Sequence, residues 1–172
     1  MYPEPFRGGL SMSDEMLSAI RRYKPVQWAM IPDFGLYMDQ VITFISQMYA
    51  PLYGEDPSKY LSASMINNYV KSKLIPRPDG KKYSREQIAL LTMIVVLKQV
   101  ASMEDIRKML TLKEGESVEM LYNAFCDRFQ QVILTLQDSR QAGSALSAAL
   151  DYAILASGFH AGCMAALDAE KA

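Results

Sequence analysis

A helix that is apolar on every side has to be surrounded by other structure, and residues 88–97 (IALLTMIVVL) impose that demand on the whole chain. Ser84 with Gln87 three positions on forms a capping box that starts this helix, so the run reads as the spine of the core. The elements that would cover it are legible as well. Apolar residues recur at i, i+3 and i+4 with almost no period-two alternation, which predicts a mostly α chain of about six or seven helices.

Ser13-Asp14-Glu15 opens a first helix that ends before Pro25, because the ring removes a donor and disfavours helical geometry in the preceding residue. A second is expected from Leu36 to Ala50, with Tyr37, Val41, Phe44, Ile45 and Met48 on one side and Pro51 as its stop. Ser62 caps a third. Ser102 opens a short one through Leu110, with acids in its first turn and Arg107-Lys108 near its end, as the macrodipole favours. From Ser117, the stripe Val118, Leu121, Tyr122, Phe125, Phe129, Val132, Ile133 and Leu136 predicts a long helix. Its cover is either the alanine-rich C-terminal helix of the same chain or the equivalent helix of a second subunit.

Composition bounds the class. With 172 residues, half of them apolar and 22% charged, the chain suits one domain, or a small module with an oligomerising extension, and disorder is excluded. Cys126 and Cys163 lack CxxC spacing and read as reduced, buried thiols. The first residues carry no charged leader followed by an apolar run, so a cytoplasmic protein is expected. Residues 141–169 are rich in Ala and Leu, but Ser, Asp, Tyr and His interrupt them. They read as a helix-packing surface, with Gly158 and Gly162 admitting another backbone, and not as a membrane span.

Charge is distributed unevenly. Residues 59–85 hold Lys59, Lys71, Lys73, Arg77, Lys81, Lys82 and Arg85 against Asp79 alone, a local +6 in a chain of net -1, so the remainder carries -7. Ser64, Asn67, Asn68 and Lys71 fall on one narrow stripe of the third helix, with Ile66, Tyr69 and Val70 opposite. Asn is a poor helix former, and two in succession suit an outer face that reads something: a carboxamide both donates and accepts, matching the adenine edge in the major groove. Lys71 and Lys73 can neutralise phosphates. Pro76 and Pro78 stiffen the exit, Asp79-Gly80 is a turn signal, and Lys81, Lys82 and Tyr83 leave it as a short basic wing before the Ser84 cap.

The segments MINNYVKSKLIP (65–76), KKYSREQI (81–88) and LKQVASMEDI (97–106) resemble the winged-helix DNA-binding domain of the MerR regulators. Leu36-Tyr37-Met38-Asp39-Gln40-Val41, taken with residues 64–71 and 81–84, is more closely similar to a YkrK-like family of Firmicute proteins, regarded as MerR-related and of uncharacterised function. The resemblance covers roughly Leu36 to Leu110. It implies a winged helix-turn-helix core at 36–110 with an N-terminal helical extension at 1–35 and C-terminal dimerisation or packing helices at 117–172. It also implies a sequence-specific transcriptional regulator that binds double-stranded DNA as a homodimer, with an unidentified small-molecule effector. Tyr69 and Lys81 match family positions and are expected on phosphates. Ser64, Asn67, Asn68, Lys71, Lys73, Arg77, Lys82 and Arg85 complete the expected DNA surface. Asn67 stands where the family commonly has arginine, Asn68 replaces a tyrosine and Lys73 replaces the exit glycine, so base preference does not carry over. The stretch from Ala50 to Leu61 is also longer than a standard helix-turn-helix connection.

Other chemistry has little footing. Cys126, Cys163 and His160 do not form a metal-ligand cluster, and no GxSxG, HExxH, P-loop or paired-carboxylate pattern occurs, so neither an enzyme nor a cofactor is expected. The aromatic and methionine residues Tyr23, Trp28, Phe34, Tyr37, Phe44, Tyr49, Met16, Met30, Met38 and Met48 read as core, with a ligand pocket as the alternative. A protein-interaction scaffold or a small-molecule-binding helical module is therefore the rival to DNA binding.

Overall fold

The structure, a computed structural model, describes residues 18–54, 56–138 and 145–169. It is mostly helical, with one two-stranded antiparallel sheet among the described residues. A helical segment at 18–22 leads through a 3-10 turn at Trp28–Met30 to strand β1 (Leu36–Tyr37) and helix α1 (Met38–Tyr53). Then follow a 3-10 turn at Pro57–Lys59, α2 (Ala63–Lys71), β2 (Lys82–Tyr83), α3 (Arg85–Leu97), α4 (Met103–Met109), α5 (Val118–Asp138) and α6 (Ala145–Ala169). The predicted start at Ser13, and Met16, lie outside the described residues.

α3 is the spine that its composition demands: every residue from Gln87 to Val95 is buried. Ser84 closes the capping box. Its hydroxyl accepts from the Gln87 N–H at 3.4 Å and its own N–H donates to the Gln87 carboxamide oxygen at 2.8 Å. Thr92, buried among apolar neighbours, satisfies its hydroxyl on the Ile88 carbonyl at 2.8 Å. Ser62, Ser102 and Ser117 likewise accept from the backbone N–H three residues on.

Three expectations change. Leu36 and Tyr37 are not helical. They pair with Tyr83 and Lys82, and α1 begins only at Met38. Pro51 does not stop α1, which runs two residues beyond it to Tyr53. Proline costs one backbone bond near the helix end but keeps a helical φ, and Gly54 closes the helix by donating to the Ala50 carbonyl at 2.9 Å. Finally, α5 packs against α3 and the N-terminal segment, while Val132 of its stripe stays exposed. Tyr122 donates its hydroxyl to the Val26 carbonyl at 2.7 Å and tilts against Trp28, while Phe129 meets Tyr23 edge-on. Residues 20–31, α3 and Tyr122 therefore share one core.

The aromatic residues do not gather around a single pocket: Tyr37, Phe44 and Tyr23 border three different surface clefts. Tyr23 and Tyr49 are buried and stacked at 6.1 Å between ring centroids, whereas Phe34 and Met30 face solvent. Both cysteines are half-buried, not buried, and the Cys126 thiol is pushed up by desolvation. His160 is exposed, and no group of metal-ligating residues occurs among the described residues.

α6 has no buried side chain among its described residues, and nothing lies within 4 Å of a side chain built at Gly158 or Gly162. By length and composition, Ala149–Ala169, of mean hydropathy 1.2, is also apolar enough to cross a membrane, because Ala, Leu and Ile outweigh the interrupting polar residues.

Burial raises the phenol pKa of Tyr23, Tyr49 and Tyr122 well above the usual 10.0. The folded state thus disfavours tyrosinate: stability is full below pH 10 and is lost as pH climbs from there towards the folded-state values. Each such phenol withdraws up to about 1.4 kcal/mol per pH unit. Alkaline titration should give a cooperative rise of tyrosinate absorbance above pH 10, coincident with loss of helical circular dichroism. A smooth rise with the helical signal intact would contradict this.

Candidate functional site

α2 separates its faces as its sequence requires. Ile66 and Tyr69 are buried and Val70 is half-buried, while Ser64, Asn67, Asn68 and Lys71 are all exposed. Ser64 is partly engaged, its hydroxyl 3.0 Å from that of Ser62. The helix ends in a Schellman arrangement: the Leu74 N–H donates to the Tyr69 carbonyl at 2.9 Å and the Lys73 N–H to that of Val70 at 3.1 Å. Lys73 carries the positive φ of 58° that this geometry needs. It therefore occupies a glycine-like conformation with a side chain attached. Lys73→Gly should stabilise the fold by about 0.5–1 kcal/mol, relief of the left-handed strain outweighing removal of the charge at the helix C-terminus. Urea unfolding would check it; an unchanged or lowered midpoint would mean the strain is compensated elsewhere.

The wing is held from the core side. Leu74 and Ile75 are buried, and the Gln87 carboxamide, already capping α3, donates to the Pro76 carbonyl at 3.0 Å. Asp79 accepts the Lys82 N–H at 3.1 Å across a turn in which Gly80 has a φ of 59°. Beyond the turn, β2 pairs with β1, so the wing is stitched to the strand that precedes α1. Arg107 ties α4 to the same region through the Ser72 carbonyl.

Between α2 and the wing lies a cleft of about 580 Å³, lined by Asn67 and Val70 on the helix, Arg77, Pro78, Gly80, Lys81 and Tyr83 on the wing, and Tyr37, Met38 and Asp39. A second cleft of about 490 Å³ is bordered by Lys71, Lys73 and Arg77 and runs along the segment leaving α2, Val70 to Arg77. Among the described residues Lys71, Lys73, Arg77, Lys81 and Lys82 are exposed and enter no ion pair. Lys59, in contrast, is 4.0 Å from Asp56. The arrangement offers ammonium, guanidinium and carboxamide donors to an anionic partner, with Asp39 and Asp79 as nearby acids.

Two residues of the expected DNA surface are committed elsewhere. Tyr69 is 0% exposed, with its ring under the Lys98 ammonium at 5.1 Å and its hydroxyl without a hydrogen-bond partner among the described residues. It packs the inner face of α2 and cannot reach a phosphate from there. Arg85 is held by the fold: its Nε donates to the Ile31 carbonyl at 2.9 Å, and its guanidinium lies 3.5 Å from Asp33 and 5.7 Å from the Trp28 ring centre. Tyr37, expected on a helix face or among pocket-lining aromatic residues and not on the DNA surface, lines the first cleft from a strand of two residues, too short to show alternation in the sequence.

A helical frame thus holds the short β1–β2 pair beside a surface of exposed amides and cations. The chain belongs to the family described as Domain of unknown function (DUF1836), whose model matches residues 26–125 and so spans both clefts. No curated protein and no solved structure matches it.

Proposed function

We propose that the chain is a sequence-specific DNA-binding regulator of transcription, of the MerR-like winged-helix type and akin to the YkrK-like proteins, acting as a cytoplasmic homodimer. The observation that carries this reading is the set of five exposed cations, Lys71, Lys73, Arg77, Lys81 and Lys82, that enter no ion pair among the described residues and surround the Asn67 and Asn68 stripe. The order of strand, helix, helix, turn, strand and helix from Leu36 to Leu97 supports it. α2 enters the major groove, about 12 Å wide, with the two carboxamides towards base edges. The wing and the end of α2 take phosphates on either side.

The test is fluorescence anisotropy of a labelled duplex from upstream of the chain's own gene across a salt series. Binding that weakens steeply as salt rises is expected, and no salt-dependent binding would sink the proposal. The exposed apolar α6, with Phe159 at 75% exposure, favours a second reading, a protein-interaction scaffold, which predicts that negative result.

A further inference from the structure

Lys82 does not extend freely from the wing. It is the residue directly opposite Tyr37 in the β1–β2 pair, and directly opposed residues present their side chains on the same face. Its ammonium lies 5.3 Å from the centre of the Tyr37 ring, within cation–π range. A third residue shapes the same path. Gly35 has a φ of +72°, and a side-chain carbon built there would fall 3.3 Å from the Lys82 Cβ and 3.6 Å from its Cδ. The Lys82 stem therefore runs against the backbone at Gly35 and ends over Tyr37. Tyr37 is 47% exposed, and its backbone N–H is used by Gln40 at 2.9 Å, so the ring is free to serve as a platform.

A lysine side chain carries much rotamer entropy, and an exposed one normally loses part of it on meeting a phosphate. We propose that Gly35 and Tyr37 form a seat that pre-positions the Lys82 ammonium for the nucleic-acid backbone, making Tyr37 a positioning residue of the DNA surface. This rests on the DNA-binding reading above. The seat joins β1, which precedes the first helix of the unit, to the wing that follows the second, so the cation is held relative to the strand that opens the unit.

The test is a double-mutant cycle on the full chain, using a duplex from upstream of its gene and a random-sequence duplex of equal length. Tyr37→Ala and Tyr37→Leu should each weaken binding to both duplexes about threefold to fivefold, the cation–π range for an exposed pair. Tyr37→Phe, which keeps the ring, should bind like the unmodified chain. In a Lys82→Ala background Tyr37→Ala should have no further effect, whereas a purely structural residue would add its own loss. Thermal melts confirm folding, and Tyr37→Leu preserves side-chain bulk in the strand if the alanine variant melts early. Equal binding by Tyr37→Ala and the unmodified chain overturns the proposal while leaving DNA binding intact, as does additivity with Lys82→Ala or a loss in Tyr37→Phe as large as in Tyr37→Ala. Failure of the unmodified chain to bind either duplex removes both readings.

Discussion

Replacing Lys71, Lys81 and Lys82 together by alanine should reduce the slope of log affinity against log salt by roughly 2.7, about 0.9 for each phosphate that is no longer neutralised. At moderate salt the accompanying drop in affinity is on the order of a hundredfold, taking ~1 kcal/mol for each exposed ion pair with a phosphate. All three side chains are exposed and none is in an ion pair among the described residues, so the thermal midpoint should hardly move. The drop should be equal for cognate and random duplexes, because phosphates carry no sequence. Asn67→Ala and Asn68→Ala should behave oppositely, keeping the salt slope and relaxing base preference by about 1–3 kcal/mol at the affected position. A triple variant with an unchanged slope and an intact fold would show that these lysines do not meet the backbone.

Leu91→Ala should destabilise the chain by about 3 kcal/mol, within the ~2–5 kcal/mol range for truncating a buried leucine. Leu91 is 0% exposed, in the middle of α3, where both the forfeited transfer energy and the residual cavity count because neighbouring helices close around it. Set against a total of roughly 5–15 kcal/mol, the change is large, and the thermal midpoint should drop by about 6–12 °C. Urea unfolding should move the midpoint and leave the m-value unchanged. Glu119→Ala, on the exposed face of α5, should stay within about 0.5 kcal/mol and serves as control. A loss of stability at Leu91 no greater than at Glu119 would mean that α3 is not the spine of the core.

The two predictions differ in how much of them could be read from the chain. The serine helix starts at 62, 84 and 102 were legible, because each closes a hydrogen bond to a residue three positions on, as Ser117 does too. The polar stripe of α2 was legible for the same local reason. Arg85 was not: it looked like one more cation of the basic segment, and its engagement with Ile31, Asp33 and Trp28 depends on where the N-terminal segment docks. Tyr69 matched a family pattern in register, yet only packing reveals that its ring is enclosed. The contact of α5 with α3 was hidden in the same way, since helical spacing states that a stripe needs a partner and not which one.

What the sequence determined by itself is local: the helices, their caps, the buried character of α3 and the excess of cations between Lys59 and Arg85. These follow from interactions that span one or two helical turns and from composition alone. The tertiary structure decided which cations remain available, that Leu36–Tyr37 pairs with Lys82–Tyr83, and that Asn67, Arg77, Lys81 and Tyr37 face one cleft. The physical reason is that a side chain's availability is set by what the rest of the fold places around it. Packing and strand pairing act between residues far apart in the chain, and no local pattern encodes that distance.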